Sequence, residues 1–556
     1  MKLDVLFINP ASRPQVYQAL GSDLAAVENP VWAGLLASFC RRRGLTVAII
    51  DAEAECLPPA QVAERVRELD PRLVAVVVYG HQPSASTQNM TAAGHVCTAL
   101  KSDDPTRRIL LIGGHVAALP ERTLREEDAD FVAVGDGLHT VAALAEALRS
   151  PQPGFDQVPG LGYRASSRGM SEANSAGPIR LNPDAPLLRT LDDDLPDQAW
   201  DLLPMARYRA HNWHCLGGHE RQPYAALYTT LGCPYRCSFC CIQAPFRAGE
   251  QAAGLRSGSN SYRAWSPDHV AAQVDLLVER HGVRNLKIAD EMFVLNKSHV
   301  LGICERLAAR KYDLNIWAYA RVDTIKDGLL GPLRDAGFTW LALGIEAGAE
   351  NVRAEVDKRF RQDEVFEVVD KIRAAGINVI GNYIFGLPED DHDTMQATLD
   401  LAVELNCEFA NFYSAMAYPG SPLYAEAVRA GVSLPRAWTG YAQHARDCLP
   451  LPTRHVPAHD VLRFRDEAFQ RYFTNGSYLD MARRRFGPAL VEHLGRMTQH
   501  RLERDLLTGK LDVPALTWPA HDDRLHPVCT REGEAPAEPP AKTLRLGKPG
   551  WGRRSD

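Results

Sequence analysis

The chain has 556 residues, several times the usual domain size, so two or three domains with separate cores are expected. A hydrophobic fraction of 45% and a charged fraction of 24% are globular averages and exclude wholesale disorder. The balance of 62 basic against 69 acidic residues gives a net charge of −7, with no long block of either sign before the C-terminus, which argues against a nucleic-acid partner.

The start, Met1-Lys2-Leu3-Asp4-Val5, enters a strand pattern with no signal-peptide anatomy, and no apolar run approaches the ~20 residues that span a bilayer. A cytoplasmic protein without a transmembrane segment is expected. Residues 1–145 alternate apolar runs (Leu3–Asn9, Val47–Asp51, Leu73–Tyr79, Ile109–Gly113, Phe131–Gly135) with helix-period stretches such as Val31–Arg43 and Ala60–Leu69. Continuous apolar strands separated by helices predict an α/β, doubly wound, Rossmann-like domain with a parallel sheet covered on both faces. Ligands of such sheets bind at the carboxyl ends of the strands. Here those ends are Asn9-Pro10-Ala11-Ser12, Tyr79-Gly80-His81-Gln82, Gly113-Gly114-His115 and Gly135-Asp136-Gly137. Glycine there admits a ligand close to the backbone, or simply makes a tight turn.

Residues 146–222 are rich in Pro, Gly, Ser and Asp and read as a linker. Six further strands follow: Ala225–Leu231, Asn285–Asp290, Ile316–Asp323, Trp340–Glu346, Val379–Phe385 and Phe409–Ala417, separated by helical patterns such as Pro267–His281, Ser298–Arg310 and Asp363–Ala375. Six repeats over 223–430 predict a partial (β/α)6, TIM-like barrel with its chemistry at the C-terminal strand ends. Residues 431–515 read as a mainly helical C-terminal region, clearest at Val461–Phe473 and Leu490–Leu506, and 516–556 as a polar, Pro-rich disordered tail.

Twelve cysteines are scattered except for four within 233–241, which suggests one metal site in a reducing compartment. Leu231-Gly232-Cys233-Pro234-Tyr235-Arg236-Cys237-Ser238-Phe239-Cys240 follows directly on the first barrel strand and supplies three thiols. Structural zinc and electron-transfer clusters take four protein ligands, whereas three leave a position open for substrate. A fourth ligand from Cys241 or Cys215 is the alternative; the remaining cysteines suit small apolar core positions.

Over roughly residues 222–430 the sequence resembles the radical S-adenosylmethionine enzymes, whose hallmark is this Cys-x3-Cys-x2-Cys spacing with an aromatic residue, here Phe239, before the last Cys. The resemblance implies a 4Fe-4S cluster on Cys233, Cys237 and Cys240 whose open iron chelates S-adenosylmethionine and cleaves it reductively to a deoxyadenosyl radical. Further stretches match in order. Asp290 and Glu291 stand where the family places acidic groups near the methionyl amine, and Arg321 stands at the third strand end, where it could pair with a carboxylate. Glu346 in Gly344-Ile345-Glu346-Ala347-Gly348 matches the ribose-binding position, and Ile384, Gly386 and Glu389 lie in the segment resembling the adenine contact, although Tyr383 replaces a common Gly there.

Residues 1–145 resemble the cobalamin-binding domain found ahead of one large subgroup of these enzymes. The features are Asn9, Gly80 with the hydroxyls Ser84, Ser86 and Thr87, the pair Gly113-Gly114, and Gly135-Asp136-Gly137. No Asp-x-His-x-x-Gly follows the first strand, so base-off, His-off cobalamin is the expected state; neither His81 nor His115 is read as a cobalt ligand. Together the two resemblances imply a cobalamin-dependent radical methyltransferase acting on an unactivated carbon of a small-molecule or lipid substrate, with an external reductant such as flavodoxin or ferredoxin. A radical cyclisation, oxidation or rearrangement with the same cofactors is the alternative within the class, and an iron–sulfur electron-transfer or sensor protein the alternative outside it.

Overall fold

In the computed structural model, which describes residues 2–165, 177–256, 259–358, 360–511, 513 and 518, two sheets share one hydrophobic core that runs from Val5 to Met497. The first sheet begins with β1 (Val5–Asn9), β2 (Val47–Asp51), β3 (Leu73–Val77), β4 (Ile109–Ile112) and β5 (Phe131–Ala133), all parallel in the order β2-β1-β3-β4-β5. Alternate residues of each strand feed opposite cores. Val5, Phe7, Leu73 and Ala75 pack under helices Val31–Arg42 and Leu138–Ala147, while Leu6, Ile8, Val74 and Val76 pack under Pro59–Leu69 and Met90–Asp103. Strand order reverses between β1 and β3, so the ligand crevice of this sheet opens at their carboxyl ends.

The stretch expected as a linker contributes to the sheet. β6 (Leu161–Arg164) and β7 (Ile179–Leu181) add antiparallel to β5. Strands of four and three residues set among Pro and Gly are too short to carry a readable alternation.

The second sheet is the partial barrel: β8 (Tyr224–Leu227), then, after a two-stranded ribbon of β9 (Thr230–Leu231) and β10 (Arg263–Ala264), β11 (Asn285–Ile288), β12 (Asn315–Arg321), β13 (Phe338–Glu346), β14 (Asn378–Phe385) and β15 (Phe409–Ser414). The six long strands are parallel in sequence order. A barrel that stops at six strands leaves two edges with unpaired backbone groups. A side-chain amide covers each. At β8, Asn29 Oδ1 accepts from Ala226 N (2.7 Å) and Nδ2 donates to Ala226 O (2.9 Å); at β15, Gln443 Oε1 accepts from Ser414 N (2.9 Å) and Nε2 donates to Ser414 O (2.8 Å).

Helices Ala458–Phe473, Gly476–Phe486 and Pro488–Gln499 pack beside β15, where Arg465 Nε donates to Phe412 O at 2.8 Å and the Tyr472 hydroxyl to Cys407 O at 2.6 Å. The last helix ends at Gln499, short of the expected Leu506, because Arg504 turns inward to Asp466 and to Ala445 O (2.9 Å). The expected disordered tail, 516–556, lies outside the described residues except for Trp518, which is buried and donates its indole N–H to Pro452 O at 2.9 Å. Among the described residues no helix is long and apolar enough to cross a membrane.

Candidate active site

The cysteine loop is set by the turn that leaves β9. Gly232 has φ +89°, and a Cβ there would lie 2.3 Å from Ser261 O, so only glycine turns the chain across the barrel mouth at this point. The loop is then pinned by Gln243, whose side-chain amide donates to Cys233 O, and by Asn260 Nδ2, which donates to Tyr235 O at 2.8 Å. As a result Cys233, Cys237 and Cys240 line one wall of a cavity of about 280 Å³ at the C-terminal ends of the barrel strands. Burial pushes the Cys233 thiol up to about 12 and Cys240 well above its ordinary value. Burial also raises Cys237, opposed by the nearby Lys358 and Arg321, whose Nη1 stands 3.6 Å from Cys237 Sγ. Buried thiols of this kind carry charge when a metal takes the sulfur, and three of them beside a fixed guanidinium fit an anionic iron–sulfur cluster.

Of the two further cysteines considered as ligands, Cys215 is at the opposite end of the barrel. Its thiol donates to Glu220 O (3.6 Å) and to Asn285 Oδ1 (3.5 Å) at the start of β11. Cys241 is buried and lines the same cavity as the three.

The other barrel residues singled out in the sequence divide in two. Phe239, Glu291, Arg321, Glu346 and Ile384 line the cavity with the thiols. Burial, with Asp290 next to it, pushes the Glu291 carboxyl up to about 8. Arg321 offers no free fork for a ligand carboxylate: Nε and Nη2 both bond Asp323 at 2.9 Å, and the guanidinium lies 3.9 Å over the Tyr235 ring. Glu346 sits at φ +68° after a break in the β13–β14 register, a conformation that costs a non-glycine residue about 1–3 kcal/mol and is held here by a buried ion pair with Lys358. Lys358 Nζ also donates to Gly344 O at 3.0 Å, and a Cβ on Gly344 would come within 2.6 Å of both charged groups.

Asp290, Gly386 and Glu389 are placed outside the cavity wall. Asp290 is fully buried and ties β11 to the end of β8, accepting from Thr229 N (2.6 Å), Thr229 Oγ1 (2.6 Å) and Thr230 Oγ1 (2.8 Å). Glu389 is ion-paired with Arg454. Gly386, at φ +83°, brings the strand end against helix Ala458–Phe473, where a Cβ would lie 2.4 Å from Val461 Cγ1. Sequence reading missed Lys358, Met416 and Gln443 on the cavity wall; each comes from a loop without a motif.

Part of the cavity wall comes from the first sheet. His81, Gln82, Pro83 and Ser84, the loop after β3, line the cavity together with the thiols. The loop after β3 of the N-terminal domain thus borders the same open space as the thiols, where a cofactor of that domain would meet the barrel mouth. The deeper crevice is narrower: Gly80, Ser86 and Gly114 line about 30 Å³ with Pro245 and Phe246 of the barrel, and a Cβ on Gly135 would lie 3.9 Å from Pro245 O. Ser86 and Thr87 hold the fold there, since Ser86 Oγ donates to Val78 O and accepts from His115 N (2.9 Å), and Thr87 Oγ1 bonds His115 Nδ1 (3.1 Å). Asn9 bonds Asp51 (2.8 Å) and lines a small cavity that adjoins this crevice. A Cβ on Gly113 would lie 2.1 Å from Val78 O, and Gly137 (φ +85°) packs against Ile112. Asp136, buried with Oδ2 unpartnered, is the orphaned polar group of this set.

Two family models match the chain: the B12 binding domain over residues 17–145 and the radical SAM superfamily over residues 227–402, together more than half of its length. Among similar sequences, the uncharacterized methyltransferase PH0819 of Pyrococcus horikoshii is 25% identical over 440 residues, 79% of this chain and 86% of that one. The anaerobic magnesium-protoporphyrin IX monomethyl ester cyclase of Rubrivivax gelatinosus is 26% identical over 426 residues, 76% of this chain and 69% of that one. The fold is similar to that of the radical S-adenosylmethionine methyltransferase TsrM from Kitasatospora setae, with a TM-score of 0.58 at 16% identity, covering 77% of this chain and 75% of that one. The cobalamin-dependent enzyme OxsB aligns with a TM-score of 0.55 at 16% identity over 76% of this chain and 55% of that one. A cysteine-lined barrel mouth bordered by a loop of a doubly wound sheet, with both family models in that order, identifies the chain as a radical SAM enzyme of the group that carries a B12-binding domain ahead of its barrel.

Proposed function

We propose that this enzyme binds a 4Fe-4S cluster through Cys233, Cys237 and Cys240, cleaves S-adenosylmethionine with it, and uses cobalamin to methylate an unactivated carbon of a small molecule. The observation that carries the reading is the single cavity lined both by the three thiols and by the loop after β3 of the B12-binding domain. When bound, the cluster and S-adenosylmethionine supply hydrogen abstraction from carbon, and cobalamin supplies the methyl group.

The chain's own residues then have defined tasks. The Arg321 guanidinium, locked by Asp323 and Tyr235, places a fixed positive charge at Cys237. Glu346 and Glu291 offer carboxyl oxygens to the polar groups of S-adenosylmethionine from two sides of the cavity, and Lys358 holds Glu346 in place. Phe239, Ile384, Ala415 and Met416 make the wall apolar and exclude water from the reacting carbon. The loop 81–84, with Gly114 and Asp136 behind it, is the seat proposed for cobalamin, without a histidine to cobalt: His115 is buried in the fold against Trp438, and His81 is held by Glu28. An external flavodoxin or ferredoxin is the proposed electron donor.

The test is transfer of label. Reconstituted, cobalamin-loaded enzyme given S-adenosylmethionine with a 13C-methyl group should pass the label first to cobalamin and then to product. Deoxyadenosine formation with no label leaving S-adenosylmethionine would instead favour a cyclisation, the second reading, which the similarity to the Rubrivivax cyclase supports at the same level of identity.

A further inference from the structure

Below the cysteine cavity the barrel lumen stays open. A closed barrel fills its interior with layers of side chains; here Ala342, Asn382 and Asn411 are among the residues facing the lumen, and a chamber of about 250 Å³ remains. It adjoins the cysteine cavity: Tyr319, Asn382, Tyr413 and Gln443 line both. Its floor is aromatic. Trp213 enters from the segment before β8 and meets Trp317 edge-on at 5.1 Å, with Phe409 stacked on it at 6.0 Å.

The charged side chains around that floor are of one sign. Among the described residues that line the chamber there is no Asp or Glu, while Lys287, Arg465 and four histidines are present. Trp317 is buried, and its indole N–H has no partner. His444 Nε2 accepts from Arg465 Nη2 at 3.3 Å and His211 Nδ1 accepts from Ala26 N at 3.3 Å, which leaves the other nitrogen of each ring to carry the hydrogen. Burial keeps both rings neutral, with His444 lowered to about 3 and His211 to about 4. Both cations are balanced from behind, Lys287 by Glu28 and Arg465 by Asp466. The chamber therefore offers basic donors among carboxamides and hydroxyls, and an aromatic floor, with no carboxylate in its described lining to receive a cation.

We infer that this lumen is the substrate's seat, and that it selects a flat, ring-bearing molecule carrying a carboxylate or carbonyl oxygen and no positive charge. The inference rests on the proposed function, because the chamber adjoins the cysteine cavity where the chemistry would occur. An sp2 oxygen would accept from the imidazole N–H groups of His211 and His444 and, after a small rotation of the indole, from the covered Trp317 N–H, whose burial without a partner is costly, while a desolvated ammonium would find no counter-charge.

The test measures binding of four naphthalene probes to the reconstituted holoenzyme by fluorescence transfer from tryptophan: 2-naphthoate, 2-acetylnaphthalene, 2-ethylnaphthalene and 2-naphthylmethylamine. The two oxygen-bearing probes should bind at least about tenfold more tightly than the amine, and Trp317→Phe should weaken them about fivefold while leaving 2-ethylnaphthalene unaffected. Preference for naphthoate over acetylnaphthalene would make the acceptor a carboxylate, and the reverse a carbonyl. Anomalous scattering from 6-bromo-2-naphthoate in crystals should place bromine between Trp317 and His444. Equal or tighter binding of the amine, no binding of any probe, or bromine elsewhere overturns the inference. Deoxyadenosine formation, measured in parallel without probe, shows separately whether the radical reading stands.

Discussion

Glu346 shows how a single residue is made fit for a site. Its left-handed backbone is tolerated because Lys358 pairs with it in a space that Gly344 keeps open. Lys358→Met would leave a buried carboxylate alone and should cost about 3–5 kcal/mol, read as a shift in the denaturation midpoint, whereas E346Q combined with K358M should recover most of it. Both variants should lose affinity for S-adenosylmethionine in equilibrium dialysis if Glu346 holds that ligand; unchanged affinity would remove Glu346 from the proposed site. The three thiols were legible in the sequence because they sit within eight positions of one another, so spacing alone declares them. Lys358 was not, because it lies twelve positions after Glu346, beyond the short helix Glu350–Glu355, and the pairing leaves no periodic trace. Asp290 misled for a related reason: a carboxylate at a strand end reads the same whether it faces the cavity or, as here, binds two threonines behind it.

Among elements, the end of β14 is where barrel and C-terminal helices meet. Gly386 approaches Val461 so closely that Gly386→Ala should strain both the backbone and the helix contact, destabilising by about 1–3 kcal/mol, with V461A partly restoring the loss in a double-mutant cycle. Asp390 holds the same turn, accepting from Gly386 N (2.9 Å) and Leu387 N (3.1 Å). Burial nevertheless pushes its carboxyl from 3.8 up to about 6. The folded protein thus keeps this proton where the unfolded chain has lost it, and stability falls as pH rises between about 4 and 6. Asp390→Asn should flatten that part of the stability profile relative to wild type; an identical slope would mean that the carboxyl titrates normally. Strands such as Leu73–Val77 and Phe338–Glu346 announce themselves through runs of apolar residues, whereas β6 and β7 gain their stability from pairing with β5, a contact the local sequence cannot report.

In the whole molecule, the two sheets are joined by groups that would be unstable apart. Glu28, next to the helix at Val31–Arg42, is buried against Lys287 of β11 (3.1 Å) and accepts from the Tyr224 hydroxyl of β8 (2.7 Å). Burial alone would raise its carboxyl; Lys287 and His81 bring it down to about 2. Lys287→Met should destabilise the protein by about 3–5 kcal/mol, and E28Q with K287M should be far milder, as judged by thermal unfolding. This join fixes the loop after β3 in the same cavity as the thiols, which is the arrangement on which the functional reading depends. The most direct test of that reading is an anaerobic assay of iron, cobalt and deoxyadenosine on the reconstituted wild type, Cys237→Ala and Cys215→Ala. The account predicts a cluster of four irons, about one cobalt, and deoxyadenosine from S-adenosylmethionine in wild type and Cys215→Ala, with cluster and deoxyadenosine lost together in Cys237→Ala. A cluster that survives Cys237→Ala, or a full cluster in wild type that releases no deoxyadenosine under a strong reductant, would contradict it.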